Sequence, residues 1–571
     1  MFFEIDEKLE LLKQKNEAPQ WLTSNGLKTF QKRLNAGETP KDSFARVAKY
    51  FGELSGRKDL VDDLFDCLWS RYICLATPVH TNFGGTKGLP ISCFKTDMAD
   101  NLTGTSGIFP TNDECAEMSR VGGGVGVYLG NIRSKNTPIK GTSGVSGGVV
   151  PWMRLLDTTF DVVSQANRRG SGSVTLDIDH PDWDEFIECR DNTGDPRRRV
   201  YDLHLSTNIK DSFMFDVLAQ KEEAFLKWKK LLQYRWETGE SYIEWYDTIN
   251  RSRPQAYVDT NKYVKNTNIC TEILQYIDAY HSVVCCLSSL NLAAYSFWKS
   301  NSDRIIELIH RLLDAVITDF LNRAPKYPFL KKAVEGAKKA RAIGIGVLGW
   351  HDLLIQNNLP YDNSFEVMNL NREIFQKIDS VSLETSKKLA TEYGEPEWLK
   401  GYGERNMFRT AVAPTKSNSA AACVIGEGIA PITAHLYEKE GAEGKVYQLN
   451  PHFVALLDKY GQNNPKVLKS IARNKGSVQQ LDFLTEHEKK VFLTAREIDQ
   501  HKLIRQCAQR QAWIDQGQSI NLWFPENASE SYVNSVHLTA WQLGVKTLYY
   551  LKSGPAISGD VLDTTCEMCE G

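Results

Sequence analysis

Between about residue 76 and residue 551 the chain alternates short apolar runs with long amphipathic stretches, and this alternation narrows the possible architectures more than any other feature. The runs "SVVCCLSSL", "RAIGIGVLG" and "VKTLYYL" have the length of strands. The stretches "SFMFDVLAQKEEAFLKWKKLLQ", "RIIELIHRLLDAVITDFL" and "REIFQKIDSVSLETSKKLATEYG" repeat apolar residues three and four apart, as helices with one buried face do. Strands in the centre and helices outside follow, an α/β body. Residues 76–180 add strand-like runs separated by glycines, among them "GGGVGVYLGNIR" and "GTSGVSGGVV". Residues 1–75 read as helical, from "EIDEKLELLKQ" and "DSFARVAKYFGELSG", and the end, "KSGPAISGDVLDTTCEMCEG", has no helical period and reads as a flexible tail. The expected division is a helical region 1–75, an α/β domain 76–551 and a tail 552–571.

Charge and cysteine content exclude several classes of function. The 571 residues hold 68 basic and 71 acidic side chains, a net of −3, so bulk charge favours neither nucleic acid nor an anionic membrane. The start, "MFFEIDEKLELLKQ", lacks an apolar signal region, and no stretch approaches the ~20 apolar residues of a membrane span, so a soluble cytoplasmic chain is expected. Twelve cysteines spread over the whole length fit a reducing compartment. Cys67, Cys74, Cys115, Cys189, Cys423 and Cys507 read as buried small hydrophobes. "GIGVLG", Gly344 to Gly349, matches a dinucleotide fingerprint by letter, but "EGAKKARA" precedes it in place of an apolar strand and no βαβ unit surrounds it. In "GGGVGVYLG", Val125, Val127 and Leu129 alternate as in a strand.

Three groups of residues carry candidate chemistry. Cys566 and Cys569 form a Cys-x-x-Cys in the tail; a structural zinc site needs a second such pair, and no other Cys-x-x-Cys or His-x3-5-His occurs, which leaves redox chemistry. About fifteen residues separate them from Leu551, a typical reach of about 20 Å. In "NTNICTEI", an extended backbone puts Asn268, Cys270 and Glu272 on one side, an amide, a thiol and a carboxylate facing one cavity; a polar loop with an incidental cysteine is the plainer alternative. In "HSVVCCLSSLNL", Cys285 and Cys286 point to opposite faces of a strand, so one of them faces a given site, and "LPISCF" contributes Cys93. "APTKSNSAAACVIG" offers hydroxyls and free backbone N–H groups ahead of a helix, suited to an anion or to a simple cap. Tyr549 and Tyr550 read by default as core aromatics.

Taken in order, the Asn-x-Cys-x-Glu trio, the Cys-x-Leu-Ser-x-x-Asn-Leu run from Cys285, the Pro-Thr-x-Ser loop, the Tyr-Tyr pair and the terminal dithiol resemble the catalytic (alpha) subunit of class I ribonucleotide reductase, from about Thr77 to the end. The resemblance implies a ten-stranded α/β barrel with a central finger loop, preceded by a small helical region. It implies that Cys270 becomes a thiyl radical that takes the ribose 3′ hydrogen, that Glu272 takes the 3′-hydroxyl proton, and that Asn268 binds substrate. Cys93 and Cys285 supply two electrons, ending as a disulfide that Cys566 and Cys569 reduce in turn. Thr77, Ser92, Pro414, Thr415, Lys416, Ser417 and Asn418 hold the substrate, the loop residues its diphosphate. Tyr549 and Tyr550 relay the radical from a separate small (beta) subunit, so that no cofactor is tightly bound in this chain.

The same resemblance implies a homodimer, thioredoxin or glutaredoxin as reductant, and an effector site for a deoxynucleotide or ATP with Mg2+, to which Asp100, Arg133 and Arg169 belong; as bare sequence these arginines are solvated loop charges. Only 76 residues precede Thr77, too few for the ATP-binding cone of longer members, so on–off control is absent from this chain, either missing altogether or lodged in the partner. The expected activity is reduction of ribonucleoside diphosphates. An adenosylcobalamin-dependent reductase, a thiol–disulfide oxidoreductase and a non-catalytic nucleotide sensor are the alternatives.

Overall fold

The computed structural model describes residues 2–86, 88–163, 170–191, 193–441 and 444–554. The chain begins with helices, of which Pro40–Ser55 shows why they form where they do. Thr39 and Asp42 cap its first turn reciprocally, Pro40 takes the first helical position, Gly56 ends it at φ 71°, and Phe44, Val47, Ala48 and Phe51 form its buried stripe.

The strands that follow are β1 (Ile73–Leu75), β2 (Cys93–Asp97), β3 (Gly124–Tyr128), β4 (Gly172–Asp177), β5 (His204–Ile209), β6 (Tyr242–Trp245), β7 (Val283–Cys285), β8 (Leu287–Asn291) and β9 (Gly344–Leu348). A hairpin, β10 (Leu436–Gly441) with β11 (Gly444–Leu449), precedes three short strands, β12 (Leu522–Trp523), β13 (Thr547–Leu548) and β14 (Leu551–Lys552). β2 to β6 are five parallel neighbours, an open half-barrel. A second parallel set runs from β7–β8 through β9 to residues 410–412 and 518–523, and ends in 547–552. The two sets meet antiparallel at both seams, β2 with β7 and β6 with β13, so the ring closes as a ten-stranded barrel. Closure leaves no bare edge among these strands.

The connection from β6 to β7 does not cross the surface. After short helices at Tyr246–Arg251 and Gln255–Asp259, residues 260–282 pass through the barrel as irregular chain, and residues 266–275 are all buried. A buried loop needs partners for its backbone polar groups. Lys95 on β2 and Gln516 supply several of them. Space is made by glycine: a Cβ on Gly126 of β3 meets the Thr267 carbonyl oxygen at 2.4 Å, and one on Gly517 meets the Thr271 oxygen at 2.8 Å.

Several expectations need correction. "GTSGVSGGVV" forms bends with a single bridge at Val145 in place of a strand, since its glycines give no side chains to pack. The stretch beginning "SFMFDVL" is two helices, Asp211–Leu218 and Glu222–Thr238, broken where Gln220 turns left-handed at φ 54°. "NTNICTEI" is not extended: Thr271 N donates to the Asn268 oxygen and Thr271 sits at φ 69°, a tight turn at the tip of the loop. Of the six cysteines expected to be inert, Cys423 is half-buried, at φ 55°, while the other five are buried. "GIGVLG" contains β9 itself, and Gly346 lies where a Cβ would stand 2.6 Å from the Ala411 oxygen, so its glycines serve barrel packing.

Candidate active site

At the centre of the barrel, β2 and β7 set Cys93 directly opposite Cys285 in antiparallel register. Directly opposed residues of an antiparallel pair hold their Cα atoms about 4.5–5.5 Å apart, and a disulfide needs Cα atoms about 4.4–6.8 Å apart, so this register suits reversible bond formation. Both thiols are buried, and burial, then the hydrogen bond with Cys93, pushes Cys285 well above the ordinary thiol range. Cys286 faces the other way and donates to the Leu313 oxygen, as strand alternation requires.

The turn at 268–272 brings the trio together although the backbone is not extended. Asn268 Nδ2 donates to Glu272 Oε1 at 2.9 Å and to Cys93 Sγ at 3.2 Å, while its Oδ1 accepts from Ile273 N. Ser519 Oγ donates to the Cys270 oxygen at 2.6 Å and to Glu272 Oε2 at 3.2 Å. Burial raises Glu272 to about 7, against the pull of its hydrogen bonds from its own backbone, Asn268 and Ser519. A carboxylate near neutrality is tuned to exchange a proton at physiological pH. Tyr549 Oη donates to Cys270 Sγ at 3.7 Å, and the Tyr549 and Tyr550 rings stand 4.3 Å apart, both buried. A line of contacts therefore leads from the tyrosine pair to the thiol.

Beside this centre, Thr77 and Ser92 are buried with hydroxyls that have no protein partner. Buried polar groups are nearly always paired, so each of these two orphans is a candidate for contact with a ligand atom. Both lean on β7–β8: Ser92 N donates to the Cys285 oxygen, and Ala76 N to Ser288 Oγ. The Pro414–Asn418 loop enters a six-residue helix, Lys416–Ala421, through Thr415 at φ 59°, whose hydroxyl accepts from Gly428 N. Arg33 ties the loop to the strand before Thr77, donating to the Leu75 oxygen at 3.1 Å and to Asn418 Oδ1 at 3.0 Å.

Residues 91–227, 221–401 and 396–551 match the family profile "Ribonucleotide reductase, barrel domain", and residues 20–88 match "Ribonucleotide reductase, all-alpha domain". The chain belongs to the ribonucleotide reductase family. Among relatives of this reductase, the ribonucleoside-diphosphate reductase large subunit of Invertebrate iridescent virus 3 is 31% identical, over 93% of this chain and 95% of the relative. That of Vaccinia virus (strain Copenhagen) is 29% identical, over 93% and 77%. The solved structure of the Actinobacillus ureae class Id ribonucleotide reductase alpha subunit superposes with a TM-score of 0.86 at 35% identity, covering 94% of this chain and 98% of that one.

In this reductase the outlying candidates fall in different places. Asp100 and Arg133, after β2 and β3, form an ion pair at 2.7 Å that is about one-third exposed. Arg169, Cys566 and Cys569 lie outside the described residues. Arg33, Lys95, Ser519 and Tyr242, whose ring packs 4.7 Å from Tyr549 and 5.1 Å from Tyr550, were not singled out from sequence. For Lys95 a signal existed: a lysine two residues after Cys93 in the same strand shares the face of that cysteine.

Proposed function

We propose that the chain reduces ribonucleoside diphosphates to 2′-deoxyribonucleoside diphosphates, supplying precursors for DNA synthesis. The observation that carries this reading is the meeting of Cys93, Cys285 and Cys270 in one buried cluster, with Tyr549 on the third thiol, from three distant parts of the chain. Cys270, oxidised to a thiyl radical through Tyr550 and Tyr549, takes the 3′ hydrogen atom of the ribose. Glu272 accepts the 3′-hydroxyl proton and Asn268 orients that hydroxyl. The 2′-hydroxyl leaves as water, its proton and the two electrons coming from Cys93 and Cys285, which become a disulfide; Cys270 returns the hydrogen to C3′. Two thiols and one ribonucleotide thus give one deoxyribonucleotide, one disulfide and one water.

Further readings attach to this one. The radical comes from a separate small subunit, in keeping with the tyrosine pair and with the alpha-subunit relative. Thr77, Ser92 and the Pro414–Asn418 loop receive the substrate, with the orphaned hydroxyls as support. Because Cys93 and Cys285 are buried, an external protein cannot reach them, which favours the 566/569 dithiol as courier to thioredoxin or glutaredoxin. Asp100, Arg133 and Arg169 belong to an effector-nucleotide site, with Mg2+ on its phosphates, in a homodimer. A division into a helical region 1–75, a barrel 76–551 and a tail 552–571 goes with this reading, although β1 (Ile73–Leu75) pairs with β8 and β14 (Leu551–Lys552) straddles the second boundary. No helix among the described residues is long and apolar enough to cross a membrane.

The test is turnover of a ribonucleoside diphosphate with the cognate small subunit and dithiothreitol. Cys270→Ala and Tyr550→Phe are expected to abolish it. Cys569→Ala is expected to lose activity with a thioredoxin-type reductant and keep it with dithiothreitol; equal loss with both would overturn the courier role.

A further inference from the structure

Lys95 is wholly buried inside the barrel, two residues after Cys93 and on the same face of β2. Its Nζ donates to the backbone oxygens of Asn266 at 2.6 Å, Gln275 at 2.9 Å and Ile273 at 3.4 Å. Asn266 lies on the incoming arm of the central loop, Ile273 and Gln275 on the outgoing arm, and Asn268, Cys270 and Glu272 lie between them. An ammonium has three N–H donors and a neutral amine two, so the three-way bridge requires the charged form. On the neighbouring side of the loop, Glu244 of β6 accepts hydroxyl bonds from Thr267 at 2.9 Å, Thr175 at 3.0 Å and Ser206, with its Oε2 buried and unpartnered by protein. Two buried groups of opposite charge thus grip one irregular segment.

We propose that Lys95 and Glu244 are positioning residues for radical chemistry: the ammonium cross-links the two arms of the central loop and the carboxylate anchors its incoming arm, fixing Cys270 between the cysteine pair and Tyr549. The inference rests on the reading of Cys270 given above. Each charge makes burial of the other tolerable, and a lone buried charge is costly. Burial draws Lys95 down to about 7, against the pull of Glu244 and then of Cys285 and Cys93, while burial raises Glu244. The groups facing Lys95 are therefore Glu244 from β6, Cys93 from its own strand and Cys285 from β7. Burial keeps Cys285 well above the ordinary thiol range, while Lys95 gives up its proton at about 7. Turnover depending on the bridge then declines on the alkaline side as Lys95 gives up its proton.

The test compares wild type with Lys95→Met and, should that variant fold poorly, with Lys95→Met/Glu244→Leu, which removes both charges and keeps apolar volume. Turnover at saturating diphosphate is expected to fall at least about tenfold, a change of ~1.4 kcal/mol in barrier, with KM within about twofold because the loop at 414–418 is untouched. The alkaline decline of kcat is expected to disappear while the acid limb set by Glu272 stays. Independently of activity, native-state alkylation of Cys270 by iodoacetamide, read by mass spectrometry, is expected to quicken at least about tenfold relative to wild type, since the group is otherwise locked in a turn. Wild-type alkylation in Lys95→Met would overturn the cross-link whether or not the chain is a reductase. Quickened alkylation with kcat and its alkaline limb unchanged would overturn its part in chemistry while keeping the reductase reading.

Discussion

Glu272 combines two demands at one side chain. Its carboxyl sits at about 7 because burial disfavours the charged form, so the folded chain binds a proton there between pH 4.5 and 7 that the unfolded chain does not. Stability from this group is therefore greatest below the unfolded value and is lost as pH rises through 7, by about 3 kcal/mol at the limit. Glu272→Gln is expected to raise the urea midpoint at pH 8 by an amount equivalent to about 1–3 kcal/mol while reducing turnover at least a hundredfold; a lower midpoint would contradict the cost of this ionised site. In the wild type, kcat is expected to fall below pH 7 as Glu272 takes up its proton, and a pH–rate profile checks this. The kinds of residue at 268, 270 and 272 were readable in the chain, but their arrangement was not. The expectation of an extended segment failed because Thr271 adopts a left-handed conformation, which only the surrounding barrel enforces. The opposition of Cys93 to Cys285 was likewise out of reach, since register between strands nearly two hundred residues apart depends on the whole sheet.

The central loop is the element on which the site depends, and its place is reserved by glycine. Any Cβ at Gly126 would approach the Thr267 oxygen to 2.4 Å, and overpacking of this kind costs typically 1–3 kcal/mol. Gly126→Ala is expected to lower the thermal midpoint and to reduce turnover about tenfold or more by pushing the loop tip off Cys93; a variant with full activity would show that the loop shifts freely. The regular elements were largely legible because apolar periodicity reports burial directly: the stretches that patterning marked fall on the helices Ser302–Arg323 and Phe365–Tyr393 and on the strand Gly344–Leu348, with the first seven residues of the second helix missed. The loop was not, because its polar residues satisfy their hydrogen bonds against Lys95, Glu244, Gln516 and Ser519, partners that no local pattern names.

At the scale of the molecule, one tie between the helical region and the barrel reaches the loop that the proposed function assigns to substrate. Arg33, from the first, reaches across to Leu75 and Asn418, holding the Pro-Thr-x-Ser loop against the strand that leads to Thr77. Hydrogen bonds involving a charged group contribute about 1.5–3 kcal/mol, so Arg33→Met is expected to raise the KM for a ribonucleoside diphosphate about tenfold with kcat little changed. Steady-state kinetics with dithiothreitol measure this, and loss confined to kcat would place the role of Arg33 elsewhere. The ring itself carries one more consequence. Its sealing segment, 547–552, holds the last two short strands of the described chain, β13 and β14, and bears Tyr549 and Tyr550 between them. A nascent polypeptide lacking those residues has an open barrel and, by the same omission, a Cys270 without its hydrogen bond from Tyr549. On the proposed function, closure of the barrel and placement of the radical relay are completed by a single piece of backbone, so a half-made subunit would lack both together.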